Sequence, residues 1–195
     1  MKRLGFLLFL VLMLGIASGT GLAQNVGDNS YYFTTYYSNA NTTGAPDAVV
    51  RIVNDGDTEA DLWADIYVFD DSEELQECCS CDITPDGLLS EHINADLTSN
   101  PLTGKKPTRG VIKLISSSVP GAAAAPGTNV VVPTPGLRAW GVHVQKATSG
   151  YALTETMFAD SNLAPSEQVL LQELCYFDAK LSGKTCNCTL EDMDF

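Results

Sequence analysis

Residues 62–69 read Leu62-Trp63-Ala64-Asp65-Ile66-Tyr67-Val68-Phe69. Aromatic and β-branched side chains dominate this stretch, and they favour an extended backbone. Side chains of a strand alternate between its two faces. Leu62, Ala64, Ile66 and Val68 therefore share one face, and Trp63, Tyr67 and Phe69 share the other. Asp65 alone interrupts the apolar character. A strand that is apolar on both sides belongs in the centre of its sheet.

The same reading extends outward. Residues 31–37 are Tyr31-Tyr32-Phe33-Thr34-Thr35-Tyr36-Tyr37, and they hold four of the seven tyrosines. Residues 47–53 form a second strand candidate. Asn54-Asp55-Gly56-Asp57 follows, and these residue types tolerate the positive φ of a tight turn. The sequence thus predicts a β-hairpin joining 47–53 to 62–69. Downstream, 88–97, 111–116, 137–144 and 151–158 have strand character. Residues 119–136 are rich in Ala, Pro and Gly and read as a long surface loop, with one short strand at Val130-Val131-Val132.

The period changes near residue 165. Leu170, Leu174, Phe177 and Leu181 recur at helical spacing. Pro165 suits a first helical turn, Glu167 the positive N-terminal end, and Gly183 a C-cap. A helix over about 165–182 is expected to cover a sheet edge or an open end of the fold. Several short strands with turn signals between them, followed by one helix, predict a mainly-β sandwich, immunoglobulin-like or jelly-roll-like.

The chain has 195 residues and a net charge of −13. Lys2 and Arg3 precede an apolar run over residues 4–17, and Gly21-Leu22-Ala23 supplies small residues before Gln24. This is the pattern of a cleaved secretory signal over residues 1–23. The run is shorter than the roughly 20 residues that span a bilayer. Residues 24–195 then form one domain of ordinary size. Cleavage takes the net charge to about −15, counted from the 11 basic and 24 acidic residues. Such a surface repels nucleic acid and anionic lipid.

Six cysteines fall into two groups of three: Cys78, Cys79 and Cys81, then Cys175, Cys186 and Cys188. An even count in an exported chain reads as a disulfide framework. A bridge between the adjacent Cys78 and Cys79 is strained, and one between Cys79 and Cys81 is tight, so bridges between the groups are expected. Three such bridges leave six pairings open. Zinc is the competing reading of Cys-x-Cys thiols; an oxidising compartment weighs against it.

Candidate chemistry elsewhere is sparse. His92 and His143 are the two histidines. No nucleophile elbow, zinc-protease helix, phosphate loop or dinucleotide fingerprint occurs. Asp65, Asp70 and Glu155 are candidates for paired carboxylates. Hard oxygen ligands on turns suit calcium, and Asp55, Asp57, Asp70, Asp71 and Glu73 are the candidates for it. Asn41-Thr42-Thr43 and Asn187-Cys188-Thr189 match the N-glycosylation acceptor pattern. The Tyr-rich stretch Tyr31 to Tyr37 has two readings. It is the first strand of its own sheet, or an arm that self-associates by adding a strand to a neighbour.

The run Glu77-Cys78-Cys79-Ser80-Cys81 with Ile83-Thr84-Pro85-Asp86-Gly87-Leu88 carries a resemblance. So do Leu163-Ala164-Pro165-Ser166-Glu167, Leu174-Cys175 and Cys186-Asn187-Cys188. Together they resemble a group of uncharacterised secreted bacterial six-cysteine proteins. The resemblance spans most of residues 24–195. It implies export and disulfides, and no catalytic residue.

The functional expectation is a secreted, non-catalytic structural or adhesive protein of the cell surface or extracellular matrix, in particular a self-assembling filament subunit with no cofactor. The alternatives are a glycan- or calcium-binding module, marked by solvent-facing Trp63 or Trp140, and a small secreted hydrolase, marked by a cleft joining a histidine to a serine and an aspartate.

Overall fold

The computed structural model describes residues 29–100, 102–128, 131–182 and 188. In chain order the strands are β1 (Tyr32–Ser38), β2 (Val49–Asn54), β3 (Leu62–Asp70), β4 (Leu75–Ile83), β5 (Leu88–His92), β6 (Arg109–Ser117), β7 (Leu137–Lys146), β8 (Tyr151–Met157) and β9 (Ala159–Asp160). The helix α1 (Pro165–Ser182) follows. One sheet has the order β4-β3-β6-β1-β9 and the other β5-β2-β7-β8. All described pairings are antiparallel.

The two sheets pack face to face, as the sequence predicts. Phe33, Ile66, Val68 and Leu114 of the first sheet meet Val50, Ile52, Leu89 and Ala139 of the second in one buried cluster. Each such aliphatic side chain contributes about 1.5–3 kcal/mol on full burial. β3 lies between β4 and β6 and is buried continuously from Ala64 to Asp70. Its two apolar faces are explained: one meets the opposite sheet, and the other lies under α1.

The predicted hairpin between β2 and β3 does not form, because the two strands belong to different sheets. The side chain of Asn54 makes the connection. Its amide donates to the carbonyls of Ala60 (3.0 Å) and Ile83 (2.9 Å), and its oxygen accepts from the Gly56 N–H (3.1 Å). The turn signal is thus spent on a crossover between sheets. The true hairpin is β3–β4, and Asp70 caps its turn by accepting from the N–H groups of Ser72 (2.8 Å) and Glu74 (3.0 Å).

Other expectations are trimmed. The strand expected over 88–97 ends at His92, where the Asp96 carboxylate accepts the His92 N–H at 2.7 Å. The short strand expected near Val131 is reduced to a single bridge between Ser117 and Pro133. The last strand breaks at Phe158, whose N–H donates to Ala139 O at 2.9 Å. Beyond it β9 joins β1 in the opposite sheet and closes one side of the sandwich.

The helix has the predicted bounds. It lies on the outer face of the five-stranded sheet, against Tyr32, Tyr67, Phe69, Cys78 and Ile115, and is bonded to the edge strand β4 through Cys78. Its buried residues are Leu171, Gln172, Cys175 and Asp178. The apolar repeat Leu170, Leu174, Phe177 and Leu181 stays outside, at 49%, 36%, 52% and 72% exposure.

The sandwich predicts a sharp contrast between two aliphatic truncations. Ile66→Ala, at the centre of β3, should cost about 2–5 kcal/mol. Leu153→Ala, on exposed β8, should stay within about 0.5 kcal/mol of the parent. Chemical denaturation of both variants measures the difference; equal costs would refute this packing.

Candidate functional site

The most heavily constructed region is the joint between β4 and α1. Cys78 bonds Cys175 with 5.8 Å between Cα atoms, and Cys81 bonds Cys188 with 5.3 Å. These bridges span 97 and 107 residues, so both connect the two cysteine groups. Cys79 is disulfide-bonded as well, to a partner outside the described residues. Alternation along β4 sends Cys78 towards the helix and Cys79 and Cys81 into the core between the sheets. The bridges therefore hold the C-terminal part of the chain on both sides of β4, which is the edge of its sheet.

The sulfurs of Cys79, Cys81 and Cys188 lie within 4.8 Å of one another. All three are engaged in disulfides, so this triad offers no thiolate to a metal. Bridges of this kind are consistent with an oxidising, extracellular setting. No helix among the described residues is long and apolar enough to cross a membrane.

Beside the bridges, Asp65 is a fully buried carboxylate on the helix side of β3. One oxygen accepts from Ser80 Oγ (2.5 Å) and from the N–H groups of Gly121 and Ala122 (3.1 Å each). The other oxygen has no hydrogen-bond partner among the described residues. Burial pushes this acid up to about 7, against the lowering effect of those three donors. Gln172 of α1 donates to Gly121 O at 3.3 Å. Asp65 and Gln172 thus pin the Ala/Pro/Gly loop between sheet and helix. Lys113 pairs with Glu167 at the start of the helix.

The other candidate residues are scattered. Asp65 and Asp70 are five residues apart on one strand, roughly 16 Å at the rise of an extended chain. Glu155 sits on β8 of the other sheet, paired with Arg51. Among the calcium candidates, Asp55 pairs with Arg138 at 3.2 Å and Asp71 with Arg109 at 2.6 Å. Burial alone would raise Asp70, but Lys105 and two backbone N–H groups hold its carboxyl below the usual range. Asp57 is exposed, and Glu73 sits in the β3–β4 turn at φ 65°. Among the described residues these acids nowhere bring three ligand atoms together.

His143 is buried, with Nε2 at 2.7 Å from Thr156 Oγ1 and its ring stacked on Tyr36 at 4.2 Å. Burial lowers its pKa. His92 Nδ1 is 3.8 Å from Asp47. Neither histidine has a serine among its described hydrogen-bond partners. Trp63 and Trp140 are half-buried. The Asn41 amide nitrogen is engaged with Thr98 Oγ1 (3.0 Å) and Pro107 O (2.9 Å), which occupies the atom that a glycan would take. Asn187, Cys186 and residues 1–23, where the signal segment is expected, lie outside the described residues. The Tyr-rich stretch is β1, paired along its length with β6, so donating it to a neighbour would require exchange out of its own sheet.

Two features escaped the sequence reading. One is the anchoring role of Asp65, signalled only by an acid in an apolar strand. The other is the bare condition of β8, which reads as an ordinary strand.

No protein-family model and no curated protein matches the chain. Two solved structures are weakly similar in shape. Thermotoga maritima 1070 has a TM-score of 0.41 and 15% identity, over 68% of this chain and 94% of that one. The Anabaena sensory rhodopsin transducer has a TM-score of 0.34 and 13% identity, over 48% of this chain and 90% of that one. Likenesses this weak indicate no function.

Asp65 makes a prediction about pH. Its folded pKa lies above the unfolded value, so the folded state holds the proton more tightly. Its contribution to stability is therefore fullest below about pH 4 and is lost as pH rises towards about 7. Asp65→Asn should flatten the difference in melting temperature across that window. Parallel pH profiles for parent and variant would show that Asp65 does not titrate there.

Proposed function

We propose that the mature chain is a secreted, non-catalytic structural or adhesive subunit of the cell surface or extracellular matrix that assembles with copies of itself. The observation that carries this reading is β8. Among the described residues it pairs only with β7, and Ala152 to Met157 are exposed on both faces. The edge has seven residues, Tyr-Ala-Leu-Thr-Glu-Thr-Met, with no Pro, Lys or Arg and with one charge, Glu155, which is paired with Arg51. Edge strands normally carry such residues to block pairing with another chain.

The direction of the free hydrogen-bonding groups follows from the hairpin. The Ala147 N–H donates to Gly150 O, and the Phe158 N–H donates to Ala139 O. Between these two points antiparallel pairs alternate. Ala152, Thr154 and Thr156 thus bond to β7, while Tyr151, Leu153, Glu155 and Met157 aim their backbone groups outward. An extended segment of another molecule can add there by backbone pairing. The disulfides suit the extracellular setting, and the acidic surface keeps dispersed copies soluble.

Electron microscopy of purified residues 24–195, and of the native extracellular fraction, tests the reading. Regular filaments or sheets are expected. Leu153→Pro removes one outward N–H and leaves the β7 ladder intact, so it should abolish them in a folded protein. Strictly single particles at high concentration, together with absence from the extracellular fraction, would overturn the proposal.

A further inference from the structure

The apolar stripe of α1 lies open along the sheet. Leu170, Leu174 and Phe177 each precede a buried residue, namely Leu171, Cys175 and Asp178. One residue is about 100° of helical rotation. The stripe therefore faces neither into the sheet nor straight out to solvent. Beside it runs a groove of about 370 Å³, with Leu170 and Leu174 as its wall and Phe69 and Val111 as its floor. Val111 is exposed and adjoins exposed Tyr36 on β1, so the apolar floor continues past the groove.

Acids frame this apolar surface. Asp70, Glu73 and Glu167 line the groove with a single cation, Lys113. Lys113 is already engaged: it pairs with Glu167 and lies over the Phe69 ring, 5.1 Å from its centroid. The mouth of the groove is the β3–β4 turn. Its four acids, Asp70, Asp71, Glu73 and Glu74, share two paired cations among the described residues, Lys105 and Arg109. Asp70 is buried and stays charged, because Lys105 and the N–H groups of Ser72 and Glu74 hold its carboxylate. Glu73 is exposed and has no ion-pair partner among the described residues.

We propose that the groove receives a cationic, amphipathic helix of another protein, its apolar face on Leu170, Leu174 and Val111 and its Lys or Arg side chains on Glu73 and Asp70. Laying an apolar helix face between wall and floor is the helix-in-groove mode, with anchors three or four residues apart. The flanking α1 is about 27 Å long, enough to run beside about five turns of a partner. Charge selects the partner's sign. The unbalanced acids at the mouth and the net charge of −13 attract bases and repel acids. A second copy of this chain brings the same net charge, and residues 189–195 of the chain itself hold three acids and no base. The field that favours a cationic helix opposes both. The groove belongs to the five-stranded sheet and β8 to the other, so this surface is distinct from the edge proposed for assembly.

Fluorescence anisotropy with disulfide-intact residues 24–195 tests the inference. The probe is a labelled Leu/Lys peptide of amphipathic helical spacing and 18 residues, the length of α1. The controls are a Leu/Glu peptide of the same spacing and a Leu/Lys peptide of scrambled order. The probe should bind one to one, and each control ~100-fold more weakly. Glu73→Lys and Leu170→Lys should each weaken the probe by ~10-fold through like-charge repulsion, with circular dichroism unchanged; should one variant misfold, the other carries the test. Asp61→Lys lies nine residues ahead of Asp70, roughly 30 Å away at the rise of an extended chain. It changes the net charge equally and should leave binding within ~2-fold. Equal losses in Asp61→Lys and Glu73→Lys would overturn the inference, since binding would then follow net charge alone. So would a control that binds as tightly as the probe, or a parent that binds no peptide. Dimerisation of the parent that Leu170→Lys abolishes would assign the groove to a second copy. Probe binding that appears only after residues 189–195 are removed would assign it to the chain's own tail, and either result would overturn the inference as well.

Discussion

The rotation of α1 about its own axis is set by one covalent bond, Cys78 to Cys175. Leucine, phenylalanine and leucine again at helical spacing would, by burial energy alone, turn towards the sheet. They do not, because Cys175 must face β4, and Leu171 and Asp178 lie on the same side of the helix as Cys175. The same orientation is held by Gln172 on the Gly121 carbonyl, Gln168 on the Val131 carbonyl and the Lys113–Glu167 pair.

A bond that places a helix unfavourably needs local support, and the structure supplies it with polar anchors. The loop over 117–128 has few side chains able to pack, so it is held by its backbone. Asp65 accepts from Gly121 and Ala122, and Ser80 joins the same cluster. Burying that acid is costly, which is the reason its pKa rises. What the arrangement provides is a unique seat for the loop, and the loop in turn flanks the helix. Covalent staple, buried acid and loop form one unit.

Sheet edges set the remaining character of the molecule. β4 is an edge, but the bridges hold chain on both of its sides. β9 is two residues long and β5 five, both too short to template much pairing. β8 has no cover, and its one charged residue is Glu155. The described residues thus leave one long sheet edge bare, β8, and it is this edge that the proposed assembly uses.

Much of the secondary structure was legible in the sequence, for a physical reason. Alternation along 62–69 and helical spacing from 170 to 181 depend only on near neighbours, and they placed β3 in a sheet interior and α1 at its observed bounds. The export pattern and the cysteine count likewise bear on compartment and covalent character. The sequence alone did not show that Asn54 turns the chain between sheets, since hairpin and crossover use the same turn residues. It did not pair Cys78 with Cys175, since 97 residues separate them and six pairings were open. Nor did it show which side of the helix would be buried. Local periodicity determines that a face is apolar. Only the tertiary structure, through a contact between residues distant in the chain, decided whether that face is covered.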